Sequence, residues 1–398
     1  MSILTVAALA VGFVLLVAGG ELLVRGASRL AGTLGISPLV VGLTVVAFAT
    51  STPELAVSVD AALSGYPGLA VGNVVGSNIA NILLILGLTA LIAPLLAKSR
   101  IVRVDIPIMV GFSIVLLLVA LDGVISSLNG LLLLTGVVAY VVATVVISRR
   151  RSSDQTDADP TDTDTTDSER GGSPGERTDA GAGVPDADDE QSSDDGASHS
   201  VLKSSALVAV GVLMLVVGAR LLVTAASDLA AAWGMSDLVI GLTVVAIGTS
   251  LPELATSLVA AYRGERDLAV GNIVGSNMFN IGAVLGITSL ITPIEVAAGA
   301  VRFDLPIMVA VALALLPIAF TGMAISRWEG LLFAAFYASY IVYVVLQASD
   351  HDALDPFSTA MLWFVIPFTA LWLIVLATYE LGVIRGRRQA RRQLVPDE

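Results

Sequence analysis

Two short stretches put ionisable chemistry where a purely apolar run would otherwise continue. Thr50-Ser-Thr-Pro-Glu54 recurs 199 residues later as Thr249-Ser-Leu-Pro-Glu253, and each copy sets a proline and a carboxylate inside a helix-length apolar segment. A carboxylate at membrane depth is costly and points to function by default. A proline there lacks an N–H and clashes with the carbonyl four residues earlier, so each helix is expected to kink and free carbonyls for another partner. In the first copy those are the carbonyls around Ala47 to Thr50, joined by the Ser51 hydroxyl and Glu54. In the second they are the carbonyls around Ala246 to Thr249, joined by Ser250 and Glu253. Every one of these groups offers oxygen. Hard cations such as Ca²⁺ and Na⁺ take such ligands, whereas zinc or copper would want histidine or cysteine. Two ionised glutamates neutralise one Ca²⁺ or two Na⁺, and protonation would relieve the cost of leaving them unpaired. A carrier that cannot return empty is the consequence, which predicts antiport.

The run after each Pro-Glu break supplies a second wall. Gly72-Asn-Val-Val-Gly-Ser-Asn78 and Gly271-Asn-Ile-Val-Gly-Ser-Asn277 are rich in small residues that let helices approach closely. Ser77 and Asn81 lie four apart, on one helix face, as do Ser276 and Asn280. Asn73 and Asn272 fall on the same stripes one turn earlier. Small-residue seams usually serve packing, and Ser/Asn pairs often act as interhelical glue. Beside a duplicated Pro-Glu break, Ser77, Asn81, Ser276 and Asn280 are read as ligands.

The elements that carry these residues must be membrane helices. Only 14% of the 398 residues are charged and the mean hydropathy is +0.87, well outside the range of soluble domains. About eleven apolar runs of spanning length are expected, near 3–31, 37–63, 69–95, 104–121, 126–147, 204–231, 237–263, 268–292, 303–322, 326–347 and 358–382. The first run lacks a basic n-region and reads as a span rather than a leader. Cysteine is absent, and His199 and His351 fall in polar connecting stretches, so thiol chemistry and a histidine base at membrane depth are both excluded. No enzyme is expected.

Five spans repeat. Ser37–Asn81 and Ser236–Asn280 align without a gap, with 29 of 45 positions identical, and Arg103-Val-Asp105-Ile-Pro107 matches Arg302-Phe-Asp304-Leu-Pro306. An odd number of spans per repeat inverts the second half, the architecture of secondary transporters whose site lies at the midplane between broken helices. The expected fold is therefore an all-α integral membrane protein of two inverted five-helix repeats plus one extra C-terminal transmembrane helix. Its expected parts are repeat one at 1–148, a disordered acidic linker at 149–203, repeat two at 204–348, and the extra helix with a basic tail at 349–398. The linker carries nearly all of the net charge of −13, with fifteen acidic residues against three arginines between Arg151 and Ser200. Its acidic spacing is not that of an EF-hand, so it reads as a solvating connection. Lysine is confined to Lys98 and Lys203, a bias suggestive of a salt-loving prokaryote. Clusters at Lys98–Arg103, Arg149–Arg151 and Arg385–Arg392 share one side if the N-terminus is outside and the linker and C-terminus are cytoplasmic. Arg103 with Asp105 and Arg302 with Asp304 read as boundary anchors or local ion pairs, and Glu21 is left outside the site.

The paired signatures Gly42-Leu-Thr…Ala49-Thr-Ser-Thr-Pro-Glu54 with Gly72–Asn78, and Gly241-Leu-Thr…Gly248-Thr-Ser-Leu-Pro-Glu253 with Gly271–Asn277, resemble the two alpha-repeats of the sodium/calcium exchanger family, within the cation/Ca²⁺ antiporter superfamily. The resemblance covers roughly 3–147 and 204–347 and neither the linker nor the eleventh span. It implies exchange of Na⁺ for Ca²⁺ across the plasma membrane by alternating access, with the first and sixth spans sliding across the rest. It implies Glu54 and Glu253 as central Ca²⁺ ligands, with backbone oxygens of Thr50 and Thr249. Flanking Na⁺ sites would use Ser51, Ser77, Ser250 and Ser276 with the carbonyls of Ala47 and Ala246. One departure stands out. Where the family often carries aspartate, this chain has Asn280, matching Asn81, so the site holds two carboxylates and the Na⁺ stoichiometry is open.

Ca²⁺/H⁺ exchange, or exchange of another divalent ion, is the nearest alternative, and a cation channel is a further one from a different class. Channels usually build a filter by symmetry between chains, which an internal inverted repeat argues against. Expected partners are Ca²⁺ and Na⁺ as transported ions and the lipid bilayer, with no cofactor and no nucleic acid.

Overall fold

The computed structural model describes residues 3–96, 99–156, 193–233, 244, 246–320, 323–349 and 351–393. The expected disordered connection at 157–192 and the Gly241-Leu-Thr243 part of the second signature lie outside the described residues, as does Lys98. Ten helices among the described residues are long and apolar enough to cross a membrane. An eleventh expected span, 237–263, is described only from Ala246, apart from 244. The first repeat contains α1 (Ile3–Leu34), α2 (Pro38–Leu63), α3 (Pro67–Ile92), α4 (Ile101–Val119) and α5 (Ser127–Thr156). The second contains α6 (Ser193–Ala232), α7 (Leu251–Tyr262), α8 (Arg266–Ile291), α9 (Ala300–Phe320) and α10 (Arg327–Ala348), followed by the extra span α11 (Leu354–Leu376). Helix runs on to Thr156 and resumes at Ser193, so both ends of the expected 149–203 linker are helical extensions of its neighbours.

The repeats run antiparallel. A Cβ on Gly12 of α1 would lie 2.9 Å from the Gly218 carbonyl of α6, and one on Gly19 would lie 2.8 Å from that of Gly211. Further along, Gly26 meets Ser204. Ascending numbers on α1 therefore meet descending numbers on α6, as inversion requires. Gly12 is the repeat equivalent of Gly211 and Gly19 that of Gly218, so the contact maps onto itself when the halves are exchanged. Only glycine lets two helix backbones meet this closely.

The same two-fold logic recurs in four short strands. β1 (Leu95–Leu96) pairs antiparallel with β4 (Ala324–Ile325), and β2 (Val124–Ile125) pairs with β3 (Ile294–Glu295). Each strand thus closes on the other repeat. At the centre, α8 is buried along its whole length from Leu268 to Leu285, and α3 lies beside it with Val74, Val75, Ile79 and Ile82 enclosed. A helix buried on every side needs no amphipathic stripe, which is why α8 reads as apolar or small between Leu268 and Leu285 apart from the site residues.

Candidate ion-binding site

The helix carrying Glu54 breaks where the proline demands it. The first half of α2 ends at Thr50, Ser51 leaves the helix with φ −78° and ψ 2°, and a new helix starts at Thr52. Pro53 falls at the start of this second half, where its missing N–H costs nothing. Glu54 is in the same first turn and is wholly buried. The second repeat reproduces this geometry. A short helix ends at Thr249, Ser250 takes φ −90° and ψ 6°, and α7 begins at Leu251 with Pro252 and the wholly buried Glu253 in its first turn. Each carboxylate thus enters at a helix N-terminus, where the dipole favours negative charge.

The two glutamates are near enough to repel one another. No carboxylate oxygen of the pair makes a fully formed hydrogen bond, although the Thr50 hydroxyl approaches Glu253 and each glutamate's own backbone N–H lies nearby. Around them, the hydroxyls of Ser51, Ser77 and Ser250, both side-chain atoms of Asn81 and the Asn280 Oδ1 are likewise buried without a partner. Buried polar atoms are nearly always satisfied, so a cluster of orphans drawn from two homologous halves marks a candidate ligand site. The set is carboxylate, hydroxyl and amide oxygen, which suits Ca²⁺ or Na⁺. No group of three or more histidine, cysteine, aspartate or glutamate side chains occurs among the described residues. Among the described residues, charge here comes from the two glutamates.

Other expected residues are brought close but spend their polar groups locally. The Thr50 hydroxyl donates to Asn272 Oδ1 at 3.2 Å and lies 3.3 Å from the Ser276 hydroxyl, tying α2 to α8. The Ala47 carbonyl already accepts the Ser51 N–H at 3.0 Å, and in the second half the Ser250 N–H donates to the Ile247 carbonyl at 3.1 Å. Thr249 is half-buried and lies at the break opposite Thr50.

Asn73 and Asn272 brace rather than line the site. Asn73 Nδ2 donates to the Ser58 hydroxyl at 3.1 Å and to the Glu54 carbonyl at 3.2 Å, and Asn272 Nδ2 donates to Ser257 at 3.1 Å. The small-residue reading of the second motif holds in its packing sense: a Cβ on Gly271 or Gly275 would lie 2.8 Å from the carbonyl of Leu39 or Leu43. That close approach is what seats α8 against the first half of α2.

Sequence reasoning passed over Asn78 and Asn277. Asn78 Nδ2 donates to the Asn277 carbonyl at 3.3 Å, and Asn280 Nδ2 donates to Asn78 Oδ1 at 3.1 Å. These bonds join the two repeats directly. The signal was present, since both residues close the duplicated Gly-Asn…Gly-Ser-Asn motif. Asp105 also differs from expectation. It is wholly buried, accepts from the Tyr140 hydroxyl at 2.9 Å, and its charge partner is Arg100 at 3.8 Å rather than Arg103. Asp304 similarly accepts from Tyr340 at 3.4 Å. Arg103 and Asp105 stand two apart on the 101–105 turn and so point to opposite sides of the helix, whereas Arg100 is five residues before the aspartate.

A family model described as sodium/calcium exchanger protein matches residues 4–146 and 203–346. Inner membrane protein YrbG of Escherichia coli strain K12 is 38% identical over 311 residues, covering 78% of this chain and 87% of that protein. Sodium/calcium exchanger MaX1 of Methanosarcina acetivorans is 34% identical over 357 residues, covering 84% of this chain and 96% of that protein. Among solved structures, the sodium-calcium exchanger NCX_Mj soaked with 10 mM Na⁺ and zero Ca²⁺ aligns with a TM-score of 0.67 at 32% identity, covering 86% of this chain and 99% of the other.

Proposed function

The chain belongs to the sodium/calcium exchanger family, and we infer that it is a secondary active antiporter exchanging Ca²⁺ for Na⁺ by alternating access at the site between its two broken helices. One observation carries the reading. Two repulsive, wholly buried glutamates and a surrounding set of orphaned oxygens come from both halves of an inverted repeat. Such a site is stable only when cations or protons fill it, which forbids an empty return. Glu54 and Glu253 would hold Ca²⁺, with backbone oxygens at Thr50 and Thr249. Ser51, Ser77, Ser250 and Ser276 would serve Na⁺, with the carbonyls of Ala47 and Ala246, while Asn81 and Asn280 complete the wall. The arginine clusters favour a plasma-membrane orientation with the N-terminus outside and the C-terminus in the cytoplasm.

A proton-coupled reading draws on Asn280. Its amide donates to Asn78, so the position supplies an oxygen but no third charge. The deciding experiment is ⁴⁵Ca²⁺ uptake into proteoliposomes loaded with Na⁺ and diluted into Na⁺-free buffer, beside K⁺-loaded vesicles at one pH. Uptake that requires the outward Na⁺ gradient and survives a protonophore supports Na⁺/Ca²⁺ exchange. Uptake that ignores Na⁺ and follows an imposed pH gradient replaces Na⁺ by H⁺. Failure under both gradients removes Ca²⁺ as the transported ion.

A further inference from the structure

Glu21 stands outside the ion site yet makes a charged contact between the repeats. Both of its carboxylate oxygens face the Arg263 guanidinium as a forked ion pair, in which Oε2 accepts from Nε and Oε1 lies opposite an Nη without a formed hydrogen bond. Arg25, one turn along α1, also reaches Oε1. Next to Glu21, a Cβ on Gly20 would lie 3.3 Å from the Ala255 carbonyl and from Val259, so α1 seats directly on α7 at this level. Arg263 is the residue that ends α7, ten residues after Glu253 on the same helix. Fork and seat together tie α1 to the helix that bears a site glutamate.

The contact exists on one face alone. Along α1, Glu21 lies between Gly19, which meets Gly211, and Gly26, which meets Ser204, so it faces the side on which α6 begins. Under repeat exchange Glu21 becomes Arg220 and Arg263 becomes Ser64. Those two cannot form an ion pair. An inverted repeat makes its two access states near-equivalent by symmetry, and their balance is then decided by whatever breaks that symmetry. We propose that Glu21 and Arg263 are positioning residues forming a one-sided latch, which holds α1 against α7 on the face where α6 begins and biases the two access states of the transporter. The proposal rests on the alternating-access reading above. Side chains that are 26% and 37% exposed make the latch sensitive to ionic strength.

The test uses distances, independent of any transported ion. The chain has no cysteine, so Thr33→Cys on α1 and Tyr262→Cys at the end of α7 give a full-length protein with two spin labels and no background. Pulsed dipolar spectroscopy in nanodiscs, in Na⁺-free and Ca²⁺-free buffer, reads the α1–α7 separation. Glu21→Gln and Arg263→Gln are each expected to raise the ratio of longer to shorter separations about two- to fivefold, the range of a partly exposed ion pair. Molar salt should do the same to the parent. The charge reversal Glu21→Arg with Arg263→Glu should restore the parental distribution. Distributions unchanged by both single variants, or a reversal that behaves like the singles, would overturn the latch. Absent ⁴⁵Ca²⁺ uptake by the parent would strike the antiport reading while leaving these distances to judge the contact. In a transporting parent, each single variant should also change the ratio of uptake rates in the two membrane directions.

Discussion

Glu54 and Glu253 follow prolines into the first turn of a half-helix, and neither carboxylate makes a fully formed hydrogen bond. On their proposed role as cation ligands, Glu54→Gln or Glu253→Gln should leave the fold intact and weaken Ca²⁺ binding by about two to three orders of magnitude. Calorimetric titration together with thermal melting checks this, and near-normal affinity in either variant would remove these residues from the site. A neighbouring pair separates ligand from brace. Ser77 has no partner, so Ser77→Ala should alter the Na⁺ dependence of uptake with little effect on stability. Asn73 bonds to Ser58 and to the Glu54 carbonyl, so Asn73→Ala should cost about 1–3 kcal/mol in unfolding free energy. Equal effects of the two on stability would erase the distinction. Asn280→Asp adds a third carboxylate beside Asn78 Oδ1 and should steepen the Na⁺ dependence. An unchanged Hill slope would show that this position does not set stoichiometry.

Among the elements, α1 and α6 depend on glycine rather than on apolar bulk. Gly12 and Gly19 oppose Gly218 and Gly211 so closely that no Cβ fits without displacing backbone. Gly19→Leu should therefore cost about 1–3 kcal/mol or more through overpacking. Gly32, with nothing within 4 Å of a built Cβ, is the matched control on the same helix. Comparable melting temperatures for the two variants would mean that the seam is loose. The breaks in α2 and at Ser250 were legible from Pro53 and Pro252, because a proline acts on its own helix. The seam was not. Its glycines lie seven apart, a spacing that many membrane helices share without pairing.

At the scale of the molecule, strands β1 to β4, the α1–α6 seam and the Asn78–Asn277 bond all cross from one repeat to the other. The covalent connection between α5 and α6 should then be dispensable for assembly. Residues 1–156 and 193–398 co-expressed as separate chains should co-purify and recover transport in proteoliposomes. Recovery of the two pieces only as unassociated fragments would show that the connection, rather than the interface, holds the halves together.

Membrane spans, repeat inversion and most candidate ion ligands were readable in one dimension. Apolar length measures the bilayer, an odd span count reverses the second copy, and a duplicated Pro-Glu pair marks the helix break and its charge together. These properties depend on residues near one another in the chain. Tertiary structure decided which faces meet: Asp105 with Arg100 instead of Arg103, Asn280 with Asn78, Thr50 with Asn272, and Glu21 with Arg263. Each helix turns by about 100° per residue, so a partner on another helix depends on the rotation and depth of both axes. A single π-helical turn resets that rotation for every residue beyond it. Only the packed molecule fixes those angles.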